Sequence, residues 1–371
     1  MKKTTFILCL IMALFSSCKK SGDGLSFLPV SSGRPYEILL VIDKAMYERP
    51  AGRALHDVLT SDVPGLPQHE AQFRITTCAM EHFDRTFKIF RNIIVVNINP
   101  NIYTQTRFKF IRDLNATPQM IMTINSPSEQ EMSDYVYSHG KTIIDFFVKA
   151  ELNRSIKLLE RSHSEQVASL AKEMFGCDVW VPSDLTSIKK GNNFFWASQN
   201  GGNQLNFCMY SYPYTSSKIF TPEYFVQMRD SFMAANIPGS QPGMHMATQK
   251  YKGQNLVEGQ HIVVHHQFAQ EVRGLWEMTN DNMGGPFVSH VRVDTVNQKV
   301  IVAEGFVYYP NEPRKRNHIR RLESALYTLQ LPSETVEALS AEGVEEENED
   351  NINGKLKNVS KDKQRNNGKE N

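Results

Sequence analysis

The strongest constraint on the fold is a change of rhythm along the chain. In the first half, short apolar runs alternate with amphipathic stretches. Residues 36–42 (YEILLVI), 73–80 (FRITTCAM), 92–98 (NIIVVNI) and 119–124 (QMIMTI) read as strands, and the first and third carry the continuous apolar run of a buried strand. Residues 47–59 and 81–90 read as helices. A longer helix follows Ser126 and Ser128, with Glu129 and Glu131 suited to its first turn. Strands alternating with helices predict βαβ units and a partly parallel sheet. Helix continues over 155–175, with Gly176 as its C-cap. The pattern then switches. Apparent strands at 178–182, 193–197 and 205–212 are separated by Gly- and Asn-rich clusters of the kind that turn hairpins. Thr221-Pro222 opens a helix. Residues 261–268, 271–278, 287–294 and 299–309 read as further strands, and 317–329 as an amphipathic helix. The expected fold class is α+β: an N-terminal α/β-like half with a mixed or partly parallel sheet, then a C-terminal half richer in antiparallel strands, with a final amphipathic helix.

The first two dozen residues stand outside this pattern. Lys2 and Lys3 precede an apolar run over 6–15, then Ser16, Ser17 and Cys18. A cationic start, a short apolar core and small residues make an export signal. The run is shorter than the about 20 residues that span a bilayer. The Leu14-Phe15-Ser16-Ser17-Cys18 segment resembles the lipobox of bacterial lipoproteins, although Phe15 stands where Leu is usual. The resemblance implies cleavage before Cys18 and acylation of its sulfur, so that palmitate-type chains tie the protein to a membrane. Stable anchoring takes more than one acyl chain. The expected organisation is a signal peptide over 1–17, a lipidated start and tether over 18–32, an α/β-like domain over 33–155, an α+β domain over 156–332 and a disordered tail over 333–371. A chain of 371 residues suits two domains. The tail is poor in apolar residues and cannot bury enough surface to order itself.

Composition narrows the partners. A net charge of +1 gives no reason to expect nucleic acid. The expected location is the cell envelope, lipid-anchored, at the outer membrane; Lys19-Lys20-Ser21 does not say which leaflet. Once the signal is removed, Cys78, Cys177 and Cys208 remain besides Cys18, and their spacing fits no zinc pattern. Each reads equally as a buried free thiol or half of a disulfide.

Few residues carry chemistry. His261, His265 and His266 lie close together, and His261 and His265 share a face on either a helix or a strand. They are the candidate metal ligands. A zincin would need Glu after the first His, where Ile262 stands, so hydrogen-bonded surface histidines are the competing reading. The polar stretch over 280–286 joins two apparent strands. Asp281, Asn282, Gly284 and Gly285, flanked by Trp276 and Arg292, form a candidate ligand-binding loop. Its alternative is a sheet connection that needs glycine for positive φ. Arg314, Lys315, Arg316, Arg320 and Arg321 cluster where the last helix begins and oppose its dipole; a solvated face or an acidic partner would explain them. No glycine follows the first strand, which disfavours a dinucleotide fold. No cofactor is expected.

The segment from Gly274 to Met278, the stretch Met283-Gly284-Gly285-Pro286-Phe287-Val288 and the stretch Gly305-Phe306-Val307-Tyr308-Tyr309-Pro310 resemble an uncharacterised domain family of Bacteroidota cell-envelope lipoproteins, over about residues 30–330. The resemblance implies an exported lipoprotein and no catalytic residue. The expected function is a lipid-anchored binding or structural module with an envelope protein as a possible partner. The alternative is an envelope hydrolase with a His-lined site.

Overall fold

In the computed structural model, which describes residues 28–334, the first apolar run becomes β1 (Glu37–Val41), buried at every position. The expected signal segment, Cys18 and residues 335–371 lie outside the described residues. Burial on both faces is the reason this run shows no alternation. β1 lies between β2 (Arg74–Cys78) and β3 (Asn92–Ile98), parallel to both, and β5 (Met120–Ser126) runs parallel beside β3. β4 (Arg107–Arg112) pairs antiparallel with β5 and closes the order β2-β1-β3-β5-β4. The first sheet is therefore mixed and mostly parallel. β4 keeps Arg107, Lys109 and Arg112 exposed, charges that protect an edge strand from pairing with another chain.

Helices α1 (Pro50–Leu59), α2 (Glu129–Ser138) and α3 (Gly140–Arg161) cover one face of this sheet, burying Ile38, Leu40, Leu55, Ile94, Met122 and Phe147 together. The other face is thinner: Leu39, Val41, Ile93 and Ile121 lie beneath Phe83, Phe87 and Phe90. Ser128 caps α2 by accepting the Glu131 N–H at 3.2 Å, which satisfies an otherwise orphan donor. The long helix expected after Ser128 breaks at His139. Gly140 then starts α3 against Val58, where a Cβ would approach the Val58 side chain at 3.1 Å. The helix expected over 155–175 is likewise two: α3 ends at Arg161, and α4 (Glu165–Phe175) starts after a Ser164 cap. Gly176 has φ +70 and ends α4.

The second domain is an antiparallel sheet. Its elements are β6 (Ser187–Gly191), β7 (Phe194–Ser198), β8 (Gln204–Pro213), α5 (Pro222–Asn236), β9 (Met246–Thr248), β10 (Val257–Val264), β11 (Gln267–Met278), β12 (Gly284–Asp294), β13 (Lys299–Tyr308) and α6 (Arg316–Leu326). The strand order is β10-β11-β12-β13-β8-β7-β6, with β9 beside β11. One face packs Phe195, Phe207 and Val288 against Leu170 of α4 and Leu322 of α6. The other packs Tyr210, Trp276, Phe287 and Phe306 against Phe225 and Met233 of α5. The segment 178–182 forms no strand; Asp178 makes one bridge to Gln330 instead. The fold is α+β as expected, with the parallel strands in the N-terminal half, the antiparallel sheet in the C-terminal half and an amphipathic helix at 316–326.

The two halves share material. α3 gives Phe147 and Leu152 to the first core and Leu159 to the second. Three members of the basic cluster at the start of α6, Lys315, Arg316 and Arg320, are spent at this junction. Glu70 of the first domain accepts the backbone N–H groups of Lys315 at 2.6 Å and Arg316 at 3.0 Å. A carboxylate placed there also offsets the dipole that the cations oppose. Arg316 donates to Ala71 O at 2.6 Å, Arg320 donates to Gln72 Oε1 at 2.8 Å, and both guanidiniums stand over the Tyr36 ring. Arg321 pairs with Asp184 at 3.0 Å within the second domain, while Arg314 is exposed.

Candidate functional site

A surface cavity opens where α3 runs past the edge of the first sheet toward the second domain. Its volume is about 630 Å³, within the range of about 300–1,000 Å³ that small-molecule sites occupy. One wall is the end of β4, the loop over 113–119 and the start of β5. The other is the exposed flank of α3, and Trp180 of the second domain closes one end. The groove thus lies at the amino end of β5. Open α/β sheets bind nucleotides at the carboxyl ends of their strands, so the groove is not such a site.

The loop wall is held by its own backbone. Gln119 donates through Nε2 to Lys88 O and Phe90 O, both at 2.7 Å, and its Oε1 accepts the Asn115 N–H at 3.0 Å. Asp113 Oδ1 accepts the Gln119 N–H at 2.7 Å. Thr117 forms a bridge with Val30: its N–H donates to Pro29 O at 2.9 Å, and its carbonyl accepts from Ser31 N at 3.2 Å. The first described residues of the chain are therefore stitched to the wall of the groove.

On the helical wall, Lys149, Asn153 and Lys157 follow one another at i, i+4 and i+8, so they form a single polar stripe. Phe146, Ala150 and Ile156 supply the apolar part, joined by Met120 from β5. Phe146 also packs against Phe110 of β4, with the rings tilted and their centroids 4.5 Å apart. Deeper in, Arg154 is buried and fully engaged. It donates to Asn92 Oδ1 at 2.8 Å, Glu151 Oε1 at 2.7 Å and Arg91 O at 2.9 Å. Burial draws its guanidinium below the ordinary value, and Glu151 opposes that shift. Arg112, Lys149 and Lys157 are different: they are exposed, and among the described residues no carboxylate lies within 4.0 Å of any of them. Lining cations outnumber lining acids, with Arg112, Lys149, Arg154 and Lys157 against Asp113 and Glu160. Such a surface can hold an anion while covering an apolar group.

The residues singled out from sequence do not converge. Trp276 is buried on the α5 face, where its Nε1 donates to Val307 O at 3.2 Å. Arg292 is buried on the opposite face, donating to Leu329 O at 2.8 Å and pairing with Glu334. Asp281 and Asn282 are exposed at the tip of the β11–β12 hairpin, closed by Met278 N donating to Met283 O at 2.9 Å. Gly284 and Gly285 belong to β12, and neither has positive φ; that conformation falls on Asn280, with φ 60. Their need for glycine is close approach. A Cβ on Gly284 would stand 2.8 Å from Trp276 O, and one on Gly285 would run into Val307 O. The 280–286 hairpin contributes nothing to the lining of the groove, nor to that of a cavity of about 410 Å³ beside Asn192 and Phe232.

The histidines are also apart in role. His261 is exposed on β10 with its ring edge-on to Phe268 at 5.0 Å. His265 and His266 form the β10–β11 turn, with φ 48 and φ 62. Burial holds the His265 imidazole below its ordinary value. Among the described residues no three His, Cys, Asp or Glu side chains are placed to hold a metal. Cys78, Cys177 and Cys208 are free and buried. Burial pushes the Cys177 thiol up to about 12, which keeps it protonated and inert.

In sequence the groove residues amount to a stripe on a helix, and such a stripe usually means only a solvated face. The signal that could have found them is Lys149, Asn153 and Lys157 flanked by Phe146 and Ile156 on the surface side of α3.

Fold and groove together define a two-domain α+β protein with a cation-rimmed cleft at the domain junction. Two family models match the chain, each over part of it. Residues 31–160 match a domain of unknown function (DUF8532), and residues 164–328 match a second domain of unknown function (DUF4837). These matches are consistent with an uncharacterised family. No curated protein matches the chain. Among the described residues no helix is long and apolar enough to cross a membrane.

Proposed function

We propose that this protein is a lipid-anchored binding module of the bacterial cell envelope, tied to the outer membrane through acylated Cys18 and using the junction groove as its binding site. The observation that carries the reading is the place where the chain joins the fold. Val30 bridges to Thr117, and Thr117 lines the groove. Leu28 lies ten residue steps beyond Cys18, a span of at most about 36 Å when fully extended. An anchor at Cys18 therefore keeps the groove close to the membrane surface. The lipobox-like segment and the resemblance to envelope lipoproteins support the same assignment.

Subcellular fractionation tests it. Wild-type protein should sediment with membranes and Cys18→Ala should move to the soluble fraction. Membrane retention of Cys18→Ala, with an unchanged distribution after a salt wash, would contradict the anchor.

A further inference from the structure

Resting on that reading of the groove, we infer that its ligand is an anionic amphiphile drawn from the adjoining bilayer: a lipid whose phosphate sits among Arg112, Lys149 and Lys157 and whose apolar part lies on Phe146, Ile156 and Trp180. The chemistry of the lining selects this class. The three cations have no carboxylate partner among the described residues, in contrast to Arg154 beside them, which is saturated by Glu151, Asn92 and Arg91 O. A small hydrophilic anion would satisfy the cations and leave the aromatic and aliphatic wall wet. A purely apolar ligand would cover that wall and desolvate the cations without pairing them. A molecule with both parts satisfies both.

The mouth of the groove fits the same source. Val30 bridges to Thr117 of the groove wall and Leu114 lies in the same loop, and they are 81% and 54% exposed. Apolar side chains set among cations are the composition of a surface that meets an anionic bilayer. The short reach from Cys18 to Leu28 brings that mouth to the lipid.

The test uses the chain from residue 18 onward carrying Cys18→Ala, which keeps every described residue and has no acyl chain. It is mixed with phosphatidylcholine vesicles, with and without phosphatidylglycerol. Binding is read by co-sedimentation and by the fluorescence of Trp180, with Trp180→Phe assigning the signal. Co-sedimentation and a blue shift are expected with the anionic vesicles only, and both should fade as salt is raised. The combined variant Arg112→Ala, Lys149→Ala, Lys157→Ala should bind at least about tenfold more weakly, since each cation near an anionic surface contributes. Asn153→Trp fills the groove and leaves the charges in place, and it should weaken binding by at least about tenfold, because a filled site cannot admit a ligand. Equal binding to neutral vesicles would overturn the inference. So would unchanged binding by Asn153→Trp, which would leave surface charge alone as the cause. Full displacement by inorganic phosphate would reduce the site to a simple anion site and also overturn it. A failed anchor shows itself separately, as wild-type Cys18 without acyl chains.

Discussion

Arg229 and Glu304 meet inside the second domain with neither side chain exposed to solvent, and Arg229 donates through Nε to Oε2 at 2.9 Å and through Nη2 to Oε1 at 2.8 Å. Arg229 comes from α5 and Glu304 from the middle of β13, so the pair fixes the helix to its sheet. The remaining polar atoms are also engaged. Arg229 Nη1 donates to Thr248 Oγ1 at 3.0 Å, Ser289 Oγ donates to Glu304 Oε2 at 2.7 Å, and the guanidinium stands 4.0 Å above the Phe287 ring.

Removing one partner leaves a buried charge uncompensated, which costs about 3–5 kcal/mol. Glu304→Gln should lower the melting temperature by roughly 10 °C for a domain of this size. The double variant Arg229→Met, Glu304→Leu should recover most of that loss, because well-packed apolar residues replace buried ion pairs at little cost. Thermal unfolding followed by circular dichroism checks both. A double variant as unstable as Glu304→Gln would show that shape matters here more than charge.

The second prediction concerns where the folded part stops. A tail beginning at 333 was expected, but Glu334 is buried and pairs with Arg292, and its Oε2 also accepts the Leu331 N–H at 2.9 Å. Glu334 is charged and sits among other tail-like residues, so composition alone assigns it to the wrong side of the boundary. A chain ending after Glu334 should melt close to the full-length protein. A chain ending after Pro332 orphans the fully buried Arg292 and should be less stable by about 3 kcal/mol. Equal stability of the two truncations in urea unfolding would contradict this.

A third prediction is a pH dependence. Burial pushes the Glu271 carboxyl up, but Arg273 at 2.8 Å and His290 at 3.5 Å more than offset this and hold it well below its ordinary 4.5. The folded-state value is depressed, so the carboxylate's contribution to stability is full above the unfolded value and is lost as pH falls toward the folded one. The stability difference between wild type and Glu271→Gln should therefore be largest at neutral pH and should shrink steadily below about pH 4.5. Urea unfolding across pH 3–7 measures it, and a difference that does not change with pH would contradict the assignment.

The fold class was legible because buried strands declare themselves locally. The NIIVVNI run over 92–98 becomes β3 with the same bounds, and Thr221-Pro222 opens α5 with Thr221 accepting the Tyr224 N–H at 3.4 Å. β4 is hard to read because an edge strand trades apolar residues for charge, and its alternation over Arg107-Phe108-Lys109-Phe110 breaks at Phe110-Ile111. The β10–β11 turn was hidden for another reason. Positive φ in a two-residue turn favours Asn and Gly, whereas His265 and His266 occupy it here and read as strand. The role of the basic cluster on α6 was out of reach, since the carboxylate that caps it, Glu70, lies 245 residues before Lys315. The groove was illegible for the same reason: its two walls and Trp180 meet only once α3 has crossed the sheet edge.

The proposed anchor holds the chain at a membrane through Cys18, with the groove beside the point of attachment. The most direct measurement is the mass of the N-terminal peptide from protein purified out of envelope membranes. The expected peptide begins at Cys18 and carries a diacylglycerol thioether, with a further acyl chain on its amine where the organism adds one. A mature peptide that begins elsewhere, or an unmodified Cys18 in membrane-derived protein, would contradict it.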